Sequence, residues 1–552
     1  MWLDKLGDWN PQLFREIKGR LNKRNLAIAS LISLLSQLLI WIKVRTDLPI
    51  APALGEYKNT IDSRYCTGNL SYYGSYACQR GPVGDFIINW QNWYLDVFFW
   101  LSFCGIFALL IGGTYLLIND IEKEESRGTL NFIRLSPQSS AKILIGKLLG
   151  VPIVLYLAGL IALPLHLWLG LTLHLSLLQL LSYYLVLIAG CCLIYNLALI
   201  LSFVGSWLGG FKPWLGSGIV ATFFMLAWTG SVSTPFDVIN VVSPTFIFKH
   251  LILAVNHQLY GHWDGFNNLQ KLSFFEFPIK NWGLATPLSL LIDILVIWWT
   301  FQGLKRRFSN PGSTIFSKRQ SYLIVGTMEL LFLGFSRHNS SEVDYVQLFF
   351  LNLLLFLALI LALTPDRQSL YDWTRYRHQM VSHRQGLSFR SLMLDLIWNE
   401  KSPPLIALAI NLVIAGLVLT PWLLYKNYFL SWIFTMNLIL IYACLSQLIL
   451  LMKSSKRAIW ATCILGGLIV GPCIILGMLS LSPDKTPGLW LSLAFPIFWG
   501  WEAVEKASQM VISLSMLFHW SVLGLLSFYL IRRLKIAGES ASQALLKSAN
   551  PS

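Results

Sequence analysis

The chain contains 552 residues, of which 55% are hydrophobic and only 12% are charged, about half of the charged share that is usual in globular proteins. The stretch 148–211 carries no Asp, Glu, Lys or Arg, whereas roughly 20 apolar residues already span a bilayer. The composition excludes a soluble protein and predicts an all-α polytopic membrane protein.

Charge-free or nearly charge-free runs predict the membrane spans. Eleven such runs are 26–42, 95–118, 148–170, 177–205, 215–232, 284–303, 346–364, 404–424, 429–451, 458–482 and 509–531. A shorter twelfth run, 321–335, contains Glu329 and is predicted to be a tilted or partly interfacial helix. Counting it makes the alternation of sides consistent, so we expect about 12 transmembrane helices.

The net charge of +15 is explained by topology. If the N-terminus lies inside, the inner segments hold 30 of the 42 Lys and Arg residues, as the positive-inside rule requires. We therefore expect both termini in the cytoplasm and a multi-pass protein of the inner (plasma) membrane, in contact with membrane lipid. Nucleic acid is not an expected partner, because no recognition motif accompanies the basic excess.

The lengths of the connections predict a duplicated architecture. Long inner segments are 119–147 and 365–403, and long outer segments are 43–92, 233–283 and 483–508. In each predicted half, a long inner segment follows the second helix and a long outer one follows the fifth. Equivalent positions with equivalent lengths favour two six-helix halves. The predicted divisions are 1–25, 26–310, 311–535 and a cytoplasmic tail, 536–552.

The first of these divisions, 1–25, is predicted to hold an amphipathic helix in the inner headgroup layer. Asn10 is a good N-cap and Pro11 suits the first helical position. The apolar residues Leu13, Phe14, Ile17 and Leu21 then share one face, a pattern typical of interfacial helices. The alternative is a generic basic flank of the first span.

The segment 119–147 is the most specific stretch of the sequence. Asn119 or Asp120 is predicted to cap a short helix whose first turns carry Glu122, Glu124 and Glu125, where the helix dipole favours acids. Further signals are a break at Gly128-Thr129, an apolar set (Leu130, Phe132, Ile133 and Leu135), a stop at Ser136-Pro137 and a new cap at Ser139 or Ser140. The alternative is a solvated charged loop.

Three short runs in this segment carry a family resemblance. They are Glu124-Glu125-Ser126-Arg127-Gly128-Thr129-Leu130, Leu135-Ser136-Pro137 and Leu144-Ile145-Gly146-Lys147-Leu148. They resemble the E-x-x-x-G-T-L, L-x-P and L-x-G-K-L pattern of ABC-2 type permeases, the membrane subunits of one class of ABC exporters. The resemblance implies two six-helix ABC-2 type bundles and a cytoplasmic coupling helix that docks on an ATPase subunit. The implied ATPase-coupling residues are Glu122, Glu124, Glu125, Arg127, Gly128, Thr129, Leu130 and Pro137.

Two features depart from the family pattern. Ser126 and Asn131 stand where members often carry acids, and the second inner segment, 365–403, has no E-x-x-x-G-T motif. That segment is either a diverged coupling helix or an unrelated one. The usual family subunit is a single six-helix bundle that dimerises, so this chain is expected to act as a pseudo-dimer or to pair with a second permease subunit.

The sequence predicts no catalytic or nucleotide-binding site in the chain. It lacks the glycine-rich G-x-x-x-x-G-K-[ST] phosphate loop, the H-E-x-x-H zinc motif and the nucleophile elbow, which are the motifs for those chemistries. The eight cysteines have no metal-ligand spacing. We expect no metal or cofactor on this chain, with ATP and Mg²⁺ held by an ABC ATPase (nucleotide-binding) subunit, in two copies.

Two acids and two cysteines complete the candidate residues. Asp293 and Glu329 fall within predicted spans, where an ionisable group is either a helix-to-helix contact or part of a translocation path. Cys66 and Cys78 lie in the first outer segment and form either a disulfide, in an oxidising compartment, or two free thiols.

Three functions are therefore weighed. The first is the permease of an ABC exporter for a lipid-like, glycan or other amphipathic substrate. The second is a multispanning membrane enzyme acting on lipid-linked substrates, which would need clustered acids or histidines at one membrane face. The third is an ion-coupled secondary transporter.

Overall fold

The computed structural model describes residues 7–51, 61–69, 75–82, 84–229, 236–255, 269, 272–336, 342–383, 389–498 and 502–538. These residues form 22 α-helices and four two-residue strands. Ten helical segments are long and apolar enough to cross a membrane. The chain is therefore a predominantly helical, multi-pass membrane protein, as its composition predicts.

The chain divides into two compact units. The first comprises Met1–Ser233, Asp237–Ser273 and Phe277–Ser309, and the second comprises Thr234–Phe236, Phe274–Glu276 and Asn310–Ser552. Each unit is described by itself below.

The first unit contains twelve of the described α-helices. Its helices are α1 (Pro11–Arg20), α2 (Lys23–Thr46), α3 (Trp90–Phe107), α4 (Gly113–Ser126), α5 (Thr129–Arg134), α6 (Ser140–Gly150), α7 (Ile153–Thr172), α8 (Leu177–Val204), α9 (Lys212–Thr229), α10 (Asp237–Val242), α11 (Thr245–Val255) and α12 (Trp282–Ser309). A π-helical turn, Ala108–Gly112, joins α3 to α4, and a 3₁₀ helix, Ser206–Phe211, precedes α9. The short strands β1 (Asp62–Ser63), β2 (Tyr76–Ala77) and β4 (Phe277–Pro278) belong to this unit, whereas β3 (Ser273–Phe274) spans the boundary at residue 273.

Local capping sets where several of these helices start. Asn10 Oδ1 accepts a hydrogen bond from Leu13 N at 3.0 Å, and Ser139 caps α6, so both predicted caps are confirmed. At the start of α8, Ser176 and Gln179 form a reciprocal capping box, which satisfies backbone donors that a helix end leaves unpaired.

The second unit is also helical. Its helices are α13 (Lys318–Phe335), α14 (Glu342–Leu363), α15 (Arg367–His383), α16 (Phe389–Trp398), α17 (Leu405–Tyr425), α18 (Phe429–Leu450), α19 (Arg457–Met478), α20 (Pro487–Leu493), α21 (Glu502–Lys506) and α22 (Gln509–Gly538), with a 3₁₀ helix at Pro496–Phe498. Side chains of α15, α18 and α22 share one buried cluster, which contains Leu370, Cys444, Leu530 and Leu534. The amphipathic helix α15 is thereby fixed to two membrane helices.

The ten candidate spans match ten of the predicted runs. They are α2, the continuous segment Trp90–Ser126, α7, α8, α12, Asp344–Leu363 of α14, α17, α18, α19 and Gln509–Ile536 of α22. The other two predicted runs, 215–232 and 321–335, correspond to α9 and α13, which are helical but outside these ten. Of the predicted tail 536–552, the described residues end at 538, within α22.

The predicted first outer segment contains a small disulfide-linked fold. Cys66 and Cys78 form a disulfide with their Cα atoms 4.8 Å apart, beside the antiparallel pair β1 and β2. The neighbouring Tyr65 hydroxyl donates to Asp96 Oδ2 at 2.6 Å, and Arg64 pairs with the same carboxylate at 3.1 Å. This places Asp96, in the first turns of α3, under the loop and ties the loop to the helix.

We expect Cys66→Ser, Cys78→Ser and the double variant to lower the free energy of unfolding equally, each by about 3 kcal/mol, because each removes the same loop closure. Thermal unfolding in detergent measures the effect. Cys463→Ser, at an exposed free cysteine, is the control and should leave stability unchanged. Additive losses in the double variant would contradict a bond between the two sulfurs.

Candidate functional site

The second spanning segment continues without a break into the predicted coupling segment. Asn119 and Asp120 lie inside α4, so the prediction that one of them starts a new helix is wrong. Helix α4 continues past this polar pair as far as Ser126. The acids Glu122, Glu124 and Glu125 therefore lie at the C-terminal end of α4, where the helix dipole disfavours negative charge.

A completely buried lysine compensates part of this negative charge. Lys147 of α6 is 0% exposed, and its Nζ donates to Asp120 Oδ2 at 2.7 Å and to Glu16 Oε1 at 3.5 Å. The same Nζ lies 2.8 Å from Glu124 Oε2. Burial alone would lower the pKa of Lys147, but Asp120, Glu16 and Glu124 together raise it above its ordinary value. Lys147 is therefore a permanent cation at neutral pH.

Two arginines of α1 make this group electrically neutral. Arg15 Nη2 lies 2.9 Å from Glu124 Oε1, while Arg20 pairs with Asp120 and lies 3.1 Å from Glu16 Oε2. Three acids and three bases from α1, α4 and α6 thus form one network. We call these six residues the Lys147 cluster: Arg15, Glu16, Arg20, Asp120, Glu124 and Lys147.

The carboxylates of the Lys147 cluster also have a spacing that a metal ion could use. Oxygen atoms of Glu16, Asp120 and Glu124 all lie within 4.8 Å of one another. The ammonium group of Lys147 lies among them and is the cation that they hold. The cluster is consequently an internal ion-pair network.

Two glycines bring α1 close enough to α6 for these ion pairs. A Cβ on Gly146 would lie 2.8 Å from Leu13 N, and one on Gly150 would lie 2.5 Å from Glu16 Cβ. Such distances leave no room for a side chain. The packing buries Leu13 and Glu16, whereas Leu21, assigned to the same apolar face in the prediction, is 39% exposed. Helix α1 thus packs the face that contains Leu13 and Glu16 against α6.

A second buried lysine binds the opposite face of α4. Lys212, the first residue of α9, is 1% exposed. Its Nζ donates to Glu125 Oε2 at 2.5 Å and lies 2.6 Å from Glu122 Oε2. Glu122 and Glu125 are three positions apart and share one helix face, while Asp120 and Glu124 share another. We call Lys212, Glu122 and Glu125 the Lys212 cluster; with the Lys147 cluster it holds the end of α4 between α6 and α9.

The chain then turns sharply and presents a short helix. Gly128 has a φ of 72°, in the left-handed region that glycine adopts at helix ends. The next helix, α5, buries Leu130 and Ile133, but Phe132 is 80% exposed and Leu135 is 84% exposed. The predicted apolar set is therefore divided between an inner and an outer face.

Arg134 fixes the other end of α5 to two membrane helices. Its guanidinium carbon lies 5.7 Å from the ring centre of Phe203 and 5.6 Å from that of Phe308. Partial burial lowers the pKa of Arg134, with Arg307 adding to the effect and Glu125 opposing it. A cation held between aromatic faces is stabilised by the ring quadrupoles, so α5 is attached to α8 and α12.

The remaining implied coupling residues are on the surface or at the turn. Arg127 and Pro137 are exposed, and Thr129 Oγ1 donates to Glu124 O at 3.2 Å. The eight implied coupling residues thus lie in one continuous stretch, but its acids are engaged with lysines of the same chain. Their coupling role stays a prediction.

Asp293 and Glu329, the acids of the predicted spans, belong to different units. Both are fully buried. Asn352 Nδ2 donates to Glu329 Oε2 at 3.4 Å, whereas neither Asp293 oxygen accepts a hydrogen bond from a described residue. Neither is part of the site around α4 and α5.

The sequence did not predict Glu16 or Lys212 as site residues, and Lys147 was named only as part of the L-x-G-K-L motif. A usable signal existed for Lys212, which is the single charged residue in the stretch 148–236. A lone charge in such an apolar region needs a counter-ion within the protein. The pairing of Glu16 with Lys147 spans 131 positions and has no local signal.

Comparison with known proteins identifies no relative. No family model matches the chain, and neither a curated protein nor a solved structure matches it.

Replacing Lys147 tests the energetic weight of its cluster. We expect Lys147→Met to lower the free energy of unfolding by about 3–5 kcal/mol, because it leaves buried carboxylates without their central cation. The loss should shrink as the pH falls below 5, since protonation removes the repulsion between the acids. Unfolding in detergent across pH measures both effects.

Lys142→Met is the matched control, because Lys142 lies on the same helix and its side chain is exposed. Equal losses in the two variants would contradict a specific role for the buried lysine. In the wild-type protein, Lys147 contributes to the free energy of unfolding at neutral pH. Because its pKa is raised in the folded state, this contribution is lost only as the pH rises through that folded-state pKa.

Proposed function

We propose that this chain is the membrane-spanning permease subunit of an ABC exporter, driven by ATP hydrolysis in a separate subunit. The observation that carries the proposal is the exposure of two large apolar side chains after a spanning segment. Phe132 lies in the short helix α5, and Leu135 directly follows that helix. Exposed large apolar side chains on a helix outside the membrane spans suit a protein partner. The sequence of the same stretch resembles the family's coupling helix.

The ion pairs supply a route for force. A partner that pushed α5 would move the end of α4, and the two lysine clusters would pass that displacement to α6 and α9. Helix α6 leads into the span α7, while α9 leads toward α10 and α11. ATP binding to the partner would thereby bias a membrane pathway between two arrangements, as differential binding to two states requires.

The exposed charges specify the chemistry of the partner surface. Lys123 and Arg127 are exposed around α5, whereas Glu122 and Glu124 are turned toward the buried lysines. The matching groove should therefore be apolar at its centre and acidic at its rim. In this proposal the acids position α5, and Phe132 and Leu135 make the docking contact.

The finer architecture belongs to the same proposal. Adding α9 and α13 to the ten candidate spans gives 12 transmembrane helices in two ABC-2 type bundles. The protein would lie in the inner (plasma) membrane with both termini in the cytoplasm. Each unit has short helices between its last two long ones, α10 and α11 in the first and α20 and α21 in the second. Two ATPase copies would serve such a pseudo-dimer, unless a second permease subunit completes it.

The second unit would contact its ATPase differently. Its inner segment contains α15 and α16 in place of one short helix. Leu370 and Trp373 of α15 are buried, whereas Tyr376 is 56% exposed. An asymmetric pair of docking sites is therefore part of the proposal. The exported substrate would be lipid-like, a glycan or another amphipath.

Co-purification tests the function. We expect a protein with a G-x-x-x-x-G-K-[ST] motif and ATPase activity to co-purify with the chain from native membranes in mild detergent. The double variant Phe132→Ser with Leu135→Ser should reduce its recovery at least tenfold, because the apolar contact is lost.

Phe132→Leu is the control and should retain the ATPase, since it preserves an apolar side chain. Recovery of the ATPase with the Ser variant would contradict docking through α5. Absence of any ATPase, together with transport that follows a proton gradient, would replace the exporter with a secondary transporter.

A further inference from the structure

A further buried lysine, Lys318, lies in the second unit. It is the first residue of α13, after an N-cap formed by Ser317 and a capping box completed by Gln320. Only 2% of Lys318 is exposed. Its position at the positive end of a helix dipole is unfavourable for a cation.

Among the described residues, the hydrogen-bond partners of the Lys318 amine are neutral oxygens. Nζ donates to Leu396 O at 2.7 Å, to Ser402 Oγ at 2.7 Å and to Pro403 O at 3.2 Å. Three oxygens thus surround the Lys318 amine, and none of them belongs to a carboxylate. This distinguishes Lys318 from Lys147 and Lys212, which are surrounded by acids.

These contacts join α13 to the end of the predicted second inner segment. Ser402 Oγ in turn donates to Asp395 O and Asn399 O at 2.8 Å each. Tyr322, one helical turn after Lys318, donates to Ile397 O at 2.8 Å. The side chains of Lys318 and Tyr322 therefore attach the stretch 395–403 to α13.

The charged groups around Lys318 compensate its burial only in part. On α16, Asp395 is the acid whose field reaches Lys318, but it already pairs with Arg377 of α15 at 3.2 Å. Arg319 of α13 lies over Trp398, and Lys401 lies in the loop with Glu400. Helix α17 carries no Asp, Glu, Lys, Arg or His, and the acids Glu342 and Asp344 of α14 lie at its first turn.

We propose that Lys318 is a proton-operated latch that holds residues 395–403 on α13 when its amine is neutral and releases them when it is protonated. A neutral amine can still donate two hydrogen bonds to the three oxygens, and its burial costs little. An ammonium ion is better solvated by water than by neutral oxygens in a buried site, so protonation favours an open arrangement in which Lys318 reaches water.

The pH range in which the latch responds begins near neutral pH. Burial lowers the pKa of Lys318 to about 7, with Asp395 opposing the shift. Because the closed form binds fewer protons than the open one, closure strengthens as the pH rises and weakens as it falls. The closing equilibrium changes mainly in the pH range between the pKa of Lys318 in the closed form and the ordinary lysine pKa. The latch does not depend on the proposed export function.

Hydrogen exchange of the intact protein in uncharged phosphatidylcholine nanodiscs tests the latch. After correction for intrinsic exchange, we expect the opening constant of the backbone amides of residues 396–402 to be about tenfold larger at pH 6 than at pH 8. In Lys318→Met the opening constant should be independent of pH, because the titrating group is gone. Lys401→Met, at an exposed neighbouring lysine, should retain the tenfold change.

Two results would overturn the proposal: a wild-type opening constant that does not change with pH, or a Lys318→Met protein that keeps the pH dependence. Unchanged exchange in α18 of each variant establishes that the unit is folded. The wild-type measurement alone remains decisive if the Met variant fails to fold.

Discussion

Lys147 must find its counter-ions inside the protein, because its side chain is completely buried in α6. Three carboxylates from α1 and α4 meet this need, and two arginines of α1 complete the charge balance. An uncompensated charge at such a position would cost several kcal/mol. One ion-pair network therefore sets the positions of α1, the end of α4 and α6.

The same constraint explains why acids can end a helix at this site. Four acidic residues between 120 and 125 oppose the dipole of α4, yet Lys147 on one face and Lys212 on the other compensate them. With the helix end fixed, Gly128 can reverse the chain and α5 can expose Phe132 and Leu135. In the proposed exporter, the two buried lysines make this exposed helix a rigid extension of the membrane domain.

The sequence predicted features that depend on local signals. Long apolar runs located the spans, and Asn10 and Ser139 are helix caps as expected. Asn119 misled the prediction, because a residue that can cap a helix does so only where the backbone leaves the helix, and here α4 continues. The ion pairs were beyond local reasoning, since Glu16 and Lys147 meet only after α1 packs on Gly146 and Gly150. Cys66 and Cys78 were left open between two states, of which the structure contains the disulfide.

Buried lysine, more than helix propensity, fixes the end of α4. A double-mutant cycle between Lys147→Met and the neutralising pair Asp120→Asn with Glu124→Gln measures this directly through the free energy of unfolding. We expect a coupling energy well above about 1 kcal/mol. The variant with all three substitutions should therefore lose much less stability than Lys147→Met and the neutralising pair lose when their losses are added. Additive losses would contradict it.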